Sequence, residues 1–430
     1  MSKSLSFVFA GLFIISSMSQ AAPVPQYDGL KREGVASCAS STCHGSVFPR
    51  AASKVAQNEY VTWSRHDAHA QAYKTLLTEE SKLIAEKLGL PNAHEAGICL
   101  DCHADNVAEN QHGERFVLAD GVGCEACHGG AENYLDSHTN PDTTHAENIA
   151  NGLYPTDNPT DRAMLCLSCH LGNETKFATH TIMGAGHPRL SFELDTFTIL
   201  QPLHFEIDED YRANKVHSDN FHTWVLGQLQ TAISTLENIE TRLYLDDSLF
   251  PEVALFDCHS CHHSMEDIKW NKAKGGGMKP GDIRLNDAHL KIVTIITRVF
   301  SHELNSSLQA TIKKLKSNIH NKAAVTQHTS ELRRLLVQVS GDITQRQNIP
   351  METKAHQILV QILDMGGAGQ FYDYIAAEQA VMAIDILVTT LNQQSKLDNE
   401  IEQLYQSVQN EVLFDGDRLK RVLNNIAGKI

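Results

Sequence analysis

The sequence predicts a mainly α chain with little regular sheet, built as two unlike parts, and three observations carry that prediction. All ten cysteines fall between Cys38 and Cys261, in pairs each followed at once by a histidine. Residues 285–430 hold no cysteine and few glycines, and apolar residues recur there at helical spacing. Between the two lies "NKAKGGGMKPGD" (271–282), a glycine-rich linker. The division expected is a leader over 1–21, a domain organised by the cysteine–histidine pairs over 22–275, and a helical bundle over 285–430.

The chain has 430 residues, enough for two or three domains, and its 42% hydrophobic and 20% charged content is ordinary for a globular protein. Histidine is the outlier, with 23 copies against 3 tryptophans. Imidazole is the commonest metal ligand, so the excess asks for a use. The first residues carry Lys3, an apolar run from Leu5 to Ile15 too short to span a bilayer, and the small-x-small pattern Ser19-Gln20-Ala21. Cleavage after Ala21 is expected, with no cysteine near the cut to take a lipid and no later membrane span. The expected location is the periplasm. A net charge of −16 argues against nucleic acid or anionic membrane as partner and for a basic protein partner, although acidity for solubility alone reads equally well.

Four cysteine pairs have the spacing Cys-x-x-Cys-His: Cys99/Cys102-His103, Cys124/Cys127-His128, Cys166/Cys169-His170 and Cys258/Cys261-His262. The two cysteines left over are Cys38 and Cys43, and His44 follows them, so this pair is a fifth motif with four residues inside it rather than two. Two cysteines clamping the vinyl-derived carbons of a porphyrin, with a histidine next in line to ligate iron, is the chemistry of c-type haem attachment. The His44, His103, His128, His170 and His262 side chains are the expected proximal ligands. Five disulfides would suit an exported protein, but bridging cysteines two residues apart is strained and leaves five histidines without a role. Zinc ribbons use paired cysteines, but a histidine directly after each of five pairs would then be a coincidence. Five covalently bound haems are therefore expected.

A second histidine on the iron makes a low-spin electron-transfer site, whereas a missing one leaves room for a small molecule. "WSRHDAHAQAY" (63–73) offers His66 and His69. His138 stands ten residues past His128. His187 in "GAGHPRL" follows glycines that allow close approach to a bulky ring, and Arg189 beside it suits a propionate. His204 lies in "QPLHFEIDEDY". For each of these a surface or supporting role reads equally well from the residues alone. His259 and His263 flank an already ligated site, and His289, His302, His320, His328 and His356 are expected to be mostly solvated.

The loops between motifs, such as "DSHTNPDTTHAENIANGLYPTDNPTD", hold too little apolar surface to fold alone, so the porphyrins are expected to supply the core. Two helices interrupt them: "EESKLIAEKLGL", stopped by Gly89 and Pro91, and a long one over 221–245 with Trp224, Leu229, Ile233, Leu236 and Ile239 in one stripe. Past the linker, Ile292, Ile295, Ile296, Val299, Leu304, Leu308, Ile312 and Leu315 share a face, and segments near 324–341, 353–365, 370–393 and 397–427 repeat the theme. The bundle is expected to cover the haem domain or to form a homodimer interface.

"GVGCEACHGGAENYLDSH" resembles the third haem segment of the cytochrome c-554 family, tetrahaem carriers that take electrons from hydroxylamine oxidoreductase, and "WSRHDAHAQAY" resembles that family's Trp-containing segment. The resemblance covers about residues 34–175. It implies His69 and His138 as distal ligands, and an open sixth position on the His103 haem, because the family's second haem lacks a protein ligand there. It also implies haems packed in parallel and perpendicular pairs. The stretched first motif, the fifth motif and the helical region depart from the family pattern, and the Cys-x-x-Cys-Lys motif that marks the catalytic haem of most nitrite reductases in the wider clan is absent.

The function expected from all this is single-electron transfer in respiration, between redox proteins such as other cytochromes, a quinol-linked donor or a terminal reductase. The alternative is a multihaem reductase or oxidase of a small nitrogen or sulfur compound at an open His103 haem.

Overall fold

The computed structural model describes residues 23–50, 55–244, 251–262, 284–345 and 351–430. The expected leader, the linker 271–282 and His263 lie outside the described residues. Among those described, regular structure is helical, and the β contacts are two isolated bridges, Arg32 with His112 and Phe256 with Leu285. The mainly α expectation holds.

Local sequence explains where the helices start and stop. Glu79–Lys87 begins at Thr78, whose side-chain oxygen accepts from the Ser81 amide, with Glu79 and Glu80 against the positive helix end. It stops before Gly89, which takes φ +70°, a conformation that favours glycine. The long helix Asn220–Arg242 starts at Asp219, which accepts from the His222 amide at 2.8 Å. This helix is buried nearly all round. It packs on Pro159–His170 towards the motifs, and on Ala288–Phe300 and Lys322–Gln345 towards the C-terminus. A side chain at Gly227 would come within 2.6 Å of Leu194, so glycine lets the helix Leu194–Leu200 dock closely.

The C-terminal region is a bundle of seven helices among the described residues: Ala288–Phe300, His302–Ser317, Lys322–Gln345, Met351–Gly367, Tyr374–Thr390, Gln394–Ser407 and Gly416–Ala427. The apolar stripe read over 292–315 is divided between two helices. Ser301 breaks them apart with φ −140° and ψ 65°, and its buried hydroxyl donates to Asp342 Oδ2 at 2.9 Å. The segment near 397–427 is likewise two helices. Their apolar stripes, Leu397 and Leu404 on one and Leu419, Val422, Leu423 and Ile426 on the other, face inward and are buried. The bundle core is continuous with Phe221, Trp224, Leu229 and Leu236, so by packing the 220–242 helix belongs to both halves.

Two tail histidines depart from the solvated reading. His289 is enclosed, with Nδ1 3.3 Å from Gln228 Oε1, and burial pushes its pKa down to about 4. His328 is buried on its helix. His302, His320 and His356 are exposed as expected. Arg189, expected to meet a propionate, ion-pairs instead with Glu378 at 3.1 Å and Glu411 at 3.5 Å, and so ties the motif-bearing half to the bundle.

Candidate haem-binding site

Three motifs sit on the last turn of a helix that ends at the motif histidine: Gly97–His103, Cys124–His128 and Pro159–His170. In a helix the first cysteine and the histidine lie four residues apart and share a face, so one turn aims three side chains at the same object. The fifth motif is a short 3-10 turn in which the His262 amide donates to Cys258 O at 2.7 Å. The stretched first motif closes in the same way: the His44 amide donates to Cys38 O at 3.1 Å, while the extra residues form a turn with the Cys43 amide on Ser40 O. The longer loop therefore keeps the bond that joins first cysteine to histidine. All ten cysteines are free thiols. Cys38 and Cys124 are in side-chain contact, as are Cys102 and Cys169, which brings the first motif against the third and the second against the fourth.

Each motif histidine faces one histidine from elsewhere in the chain. The ring centroids are 6.2 Å apart for His44 and His138, 6.1 Å for His69 and His170, and 6.4 Å for His103 and His187. They are 6.1 Å apart for both His128 with His204 and His180 with His262. Two trans metal–imidazole bonds of about 2 Å each, plus about 1 Å from each nitrogen to its ring centre, put centroids about 6 Å apart. All five pairs thus have the spacing of two imidazoles on opposite faces of one iron. His69, His138, His187 and His204 each oppose a motif histidine. His187 stands opposite His103, which corrects the expectation of an open position there.

The fifth partner, His180, did not stand out in the sequence. The signal was present: His180 follows His170 by ten residues, as His138 follows His128. His66, at the end of Glu59–His66, is exposed and opposes no motif histidine in this way.

Nδ1 of several paired rings is engaged by a hydrogen bond, as it also is in the unpaired His222 and His289. Nδ1 of His44 lies 3.0 Å from Glu59 Oε2, and Nδ1 of His69 lies 2.8 Å from Asp67 Oδ1. Nδ1 of His103, His138 and His187 meets the carbonyl oxygens of Ala72, Tyr134 and Pro188 at 3.1, 3.0 and 2.8 Å. A proton donated from Nδ1 fixes the tautomer whose Nε2 lone pair is free for metal, the usual outer support of a metal-bound histidine. His112, His145 and His259 spend Nε2 instead on Val107 O, Asp157 Oδ2 and Glu411 O.

Electrostatics act on the rings in two opposite directions. Burial holds His128 neutral, with its pKa pushed down to about 3, and it lowers His103, His170 and His204 as well. The neighbouring carboxylates instead raise His44 and His69. Burial alone would raise Asp67, but bonds from His69 and Gln201 hold it at about 2, so it stays ionised.

The apolar surroundings fit porphyrin rings. Val47, Phe48, Ile98, Leu200 and Leu203 are exposed and stand within four residues of His44, Cys99 or His204 along the chain. A cleft of roughly 850 Å³, its mouth included, lies beside Cys258 at the seam between the two halves. Phe177 and Met183 wall it on the motif side, and Thr235, Asn238 and His289 on the bundle side. The donor set therefore fits haem: the paired cysteines would form the thioethers and each opposed pair of imidazoles would hold one iron.

Residues 37–129 match the family described as cytochrome c554 and c-prime. The matched stretch contains the first three motifs and His69. No curated protein and no solved structure matches the chain.

Proposed function

Taking the chain as a c-type cytochrome, in which haem is held covalently and electrons pass to redox partners, we propose that it is a periplasmic pentahaem electron carrier. The observation that carries this reading is the set of five opposed histidine pairs. Haem, when bound, supplies a one-electron iron couple. The polypeptide contributes everything that makes the couple usable. Ten thioether-forming cysteines hold the rings in fixed register: Cys38, Cys43, Cys99, Cys102, Cys124, Cys127, Cys166, Cys169, Cys258 and Cys261. Ten imidazoles would close both faces of every site and keep small molecules off the metal. The contacts of Cys38 with Cys124 and of Cys102 with Cys169 bring neighbouring attachment points together, as an internal electron path requires.

His187 opposite His103 favours the carrier over the reductase reading, which needs an iron with one protein ligand. The acidic chain suits a basic redox partner, a cytochrome or a quinol-linked donor on one side and a terminal reductase on the other.

The test is the haem count per chain, followed by electron paramagnetic resonance of the oxidised holoprotein with and without nitric oxide. The expected result is five low-spin haems that do not bind nitric oxide. Ring orientation adds detail, because parallel imidazole planes split the iron dπ orbitals and perpendicular planes leave them nearly degenerate. The ring planes meet at 86–87° in three pairs, at 10° in His44–His138 and at 32° in His180–His262. Three strongly anisotropic signals and two rhombic ones are expected. A high-spin haem that binds nitric oxide would establish the reductase reading instead.

A further inference from the structure

The five sites are not equivalent in what supports their histidines. At the His44–His138 site, Glu59 Oε2 accepts from His44 Nδ1 at 3.0 Å, and its other oxygen accepts from the Gln57 amide at 3.0 Å. At the His69–His170 site, buried Asp67 accepts from both Nδ1 and the amide of His69 at 2.8 and 2.9 Å, and Gln201 donates to its second oxygen at 2.9 Å. The second site rests on neutral carbonyls on both sides, Ala72 O for His103 and Pro188 O for His187. At the third site His204 bonds the backbone of Pro202. At the fifth, His180 and His262 stand near the surface.

A carboxylate that accepts the Nδ1 proton draws it away and gives the ring imidazolate character, which raises ligand basicity. A more basic ligand favours ferric over ferrous iron, because the extra electron density and the nearby negative charge both oppose a further electron. A carbonyl acceptor does this far less. Resting on the pentahaem reading above, we propose that Glu59 and Asp67 make the His44–His138 and His69–His170 sites the two lowest-potential haems of the five. The first is the lower of the two. At the fourth motif the buried Lys176 ammonium lies 3.2 Å from Cys169 Sγ and favours the reduced state, offsetting part of the Asp67 effect. The two carboxylates act through the histidines, so they are positioning residues.

The experiment is a potentiometric titration of the holoprotein followed by optical and paramagnetic resonance spectra, on the natural chain and on Glu59→Gln and Asp67→Asn. Both substitutions keep an acceptor oxygen and remove the charge. In Glu59→Gln the reduction equilibrium constant of one rhombic component should rise at least tenfold, about 59 mV for a one-electron couple. In Asp67→Asn a strongly anisotropic component should rise instead. Asp219→Asn removes a carboxylate from His222, which opposes no motif histidine, and should move no component.

Haem content is counted first. If the natural chain lacks five low-spin haems, the pentahaem reading falls. If five are present and Glu59→Gln moves no single component, or all components drift together, this inference falls while the carrier survives. Glu59 is only half-buried, so its variant decides the matter even if Asp67→Asn fails to take up haem.

Discussion

In residues 220–430, side chains such as Trp224, Leu236, Ile292, Leu336, Leu359 and Leu387 form one continuous buried cluster. Among the described residues, the half that carries the first four motifs has two small ones, Leu76, Ala85, Ala93, Leu100 and Ala104, and Ala163, Leu167, Phe192 and Leu194. Ordering each residue costs about 1–2 kcal/mol, and burying a leucine or phenylalanine contributes about 1.5–3 kcal/mol. Clusters with so few large side chains cannot hold a stretch of that length, whereas the bundle can hold itself. On the proposed reading the same chain uses two stabilising devices, a protein core in one half and covalently attached rings in the other. Polar anchors such as the fully buried Arg32, bonded to Asp28, Asp105 and the Pro25 carbonyl, supplement the second device without replacing it.

The sharpest way to break this comparison is to withhold haem. Chain made without haem attachment should lose ordered structure over residues 23–200, read as rapid limited proteolysis there, while a protected helical fragment from about residue 220 onward survives. Equal protection of both halves would show that the motif-bearing half folds on protein contacts alone.

A smaller effect separates the halves from the other side. Trp224 is fully buried where the long helix meets the bundle, and Trp224→Ala should destabilise the bundle by about 3–5 kcal/mol. Haem absorbance should change little below the new unfolding midpoint, since the five histidine pairs lie outside that core.

The third prediction concerns acid. His289 has a pKa of about 4 in the folded chain, below the 6.5 of an unfolded one. Between those values the unfolded chain binds the extra proton, so the stability present above pH 6.5 is lost as pH falls towards 4. The loss amounts to about 3 kcal/mol at about 1.4 kcal/mol per pKa unit. Thermal unfolding of the bundle at pH 7 and pH 5 should show about 2 kcal/mol of it, the pKa of about 4 lying below that range, and His289→Leu should flatten the dependence. Leaving Gln228 Oε1 without its donor lowers overall stability by about 1–3 kcal/mol at neutral pH.

Much of the site was legible in the sequence because covalent attachment is a local matter. Cys-x-x-Cys-His, even stretched to Cys38-x-x-x-x-Cys43-His44, needs only neighbours along the chain. His69 and His138 were reachable through the family resemblance, and His187 and His204 through glycine and loop context. His180 repeats the ten-residue step of His138 after His128, but a separation along an irregular loop does not by itself fix where a ring points. His187 opposite His103 went against the family pattern, since the segment that supplies it lies past the region of resemblance.

Helix positions and the inward-facing stripes of the bundle follow from residue patterns, as do the attachment points, because each depends on contacts within one or two turns. Tertiary structure alone decided which histidine faces which, that Ser301 divides one stripe into two helices, and that the 220–242 helix joins both halves. It also decided that Glu59 and Asp67, rather than other acids, bond to the His44 and His69 rings. Those outcomes depend on side chains meeting across long sequence separations, where a ring held at about 6 Å from its partner leaves no trace in local pattern.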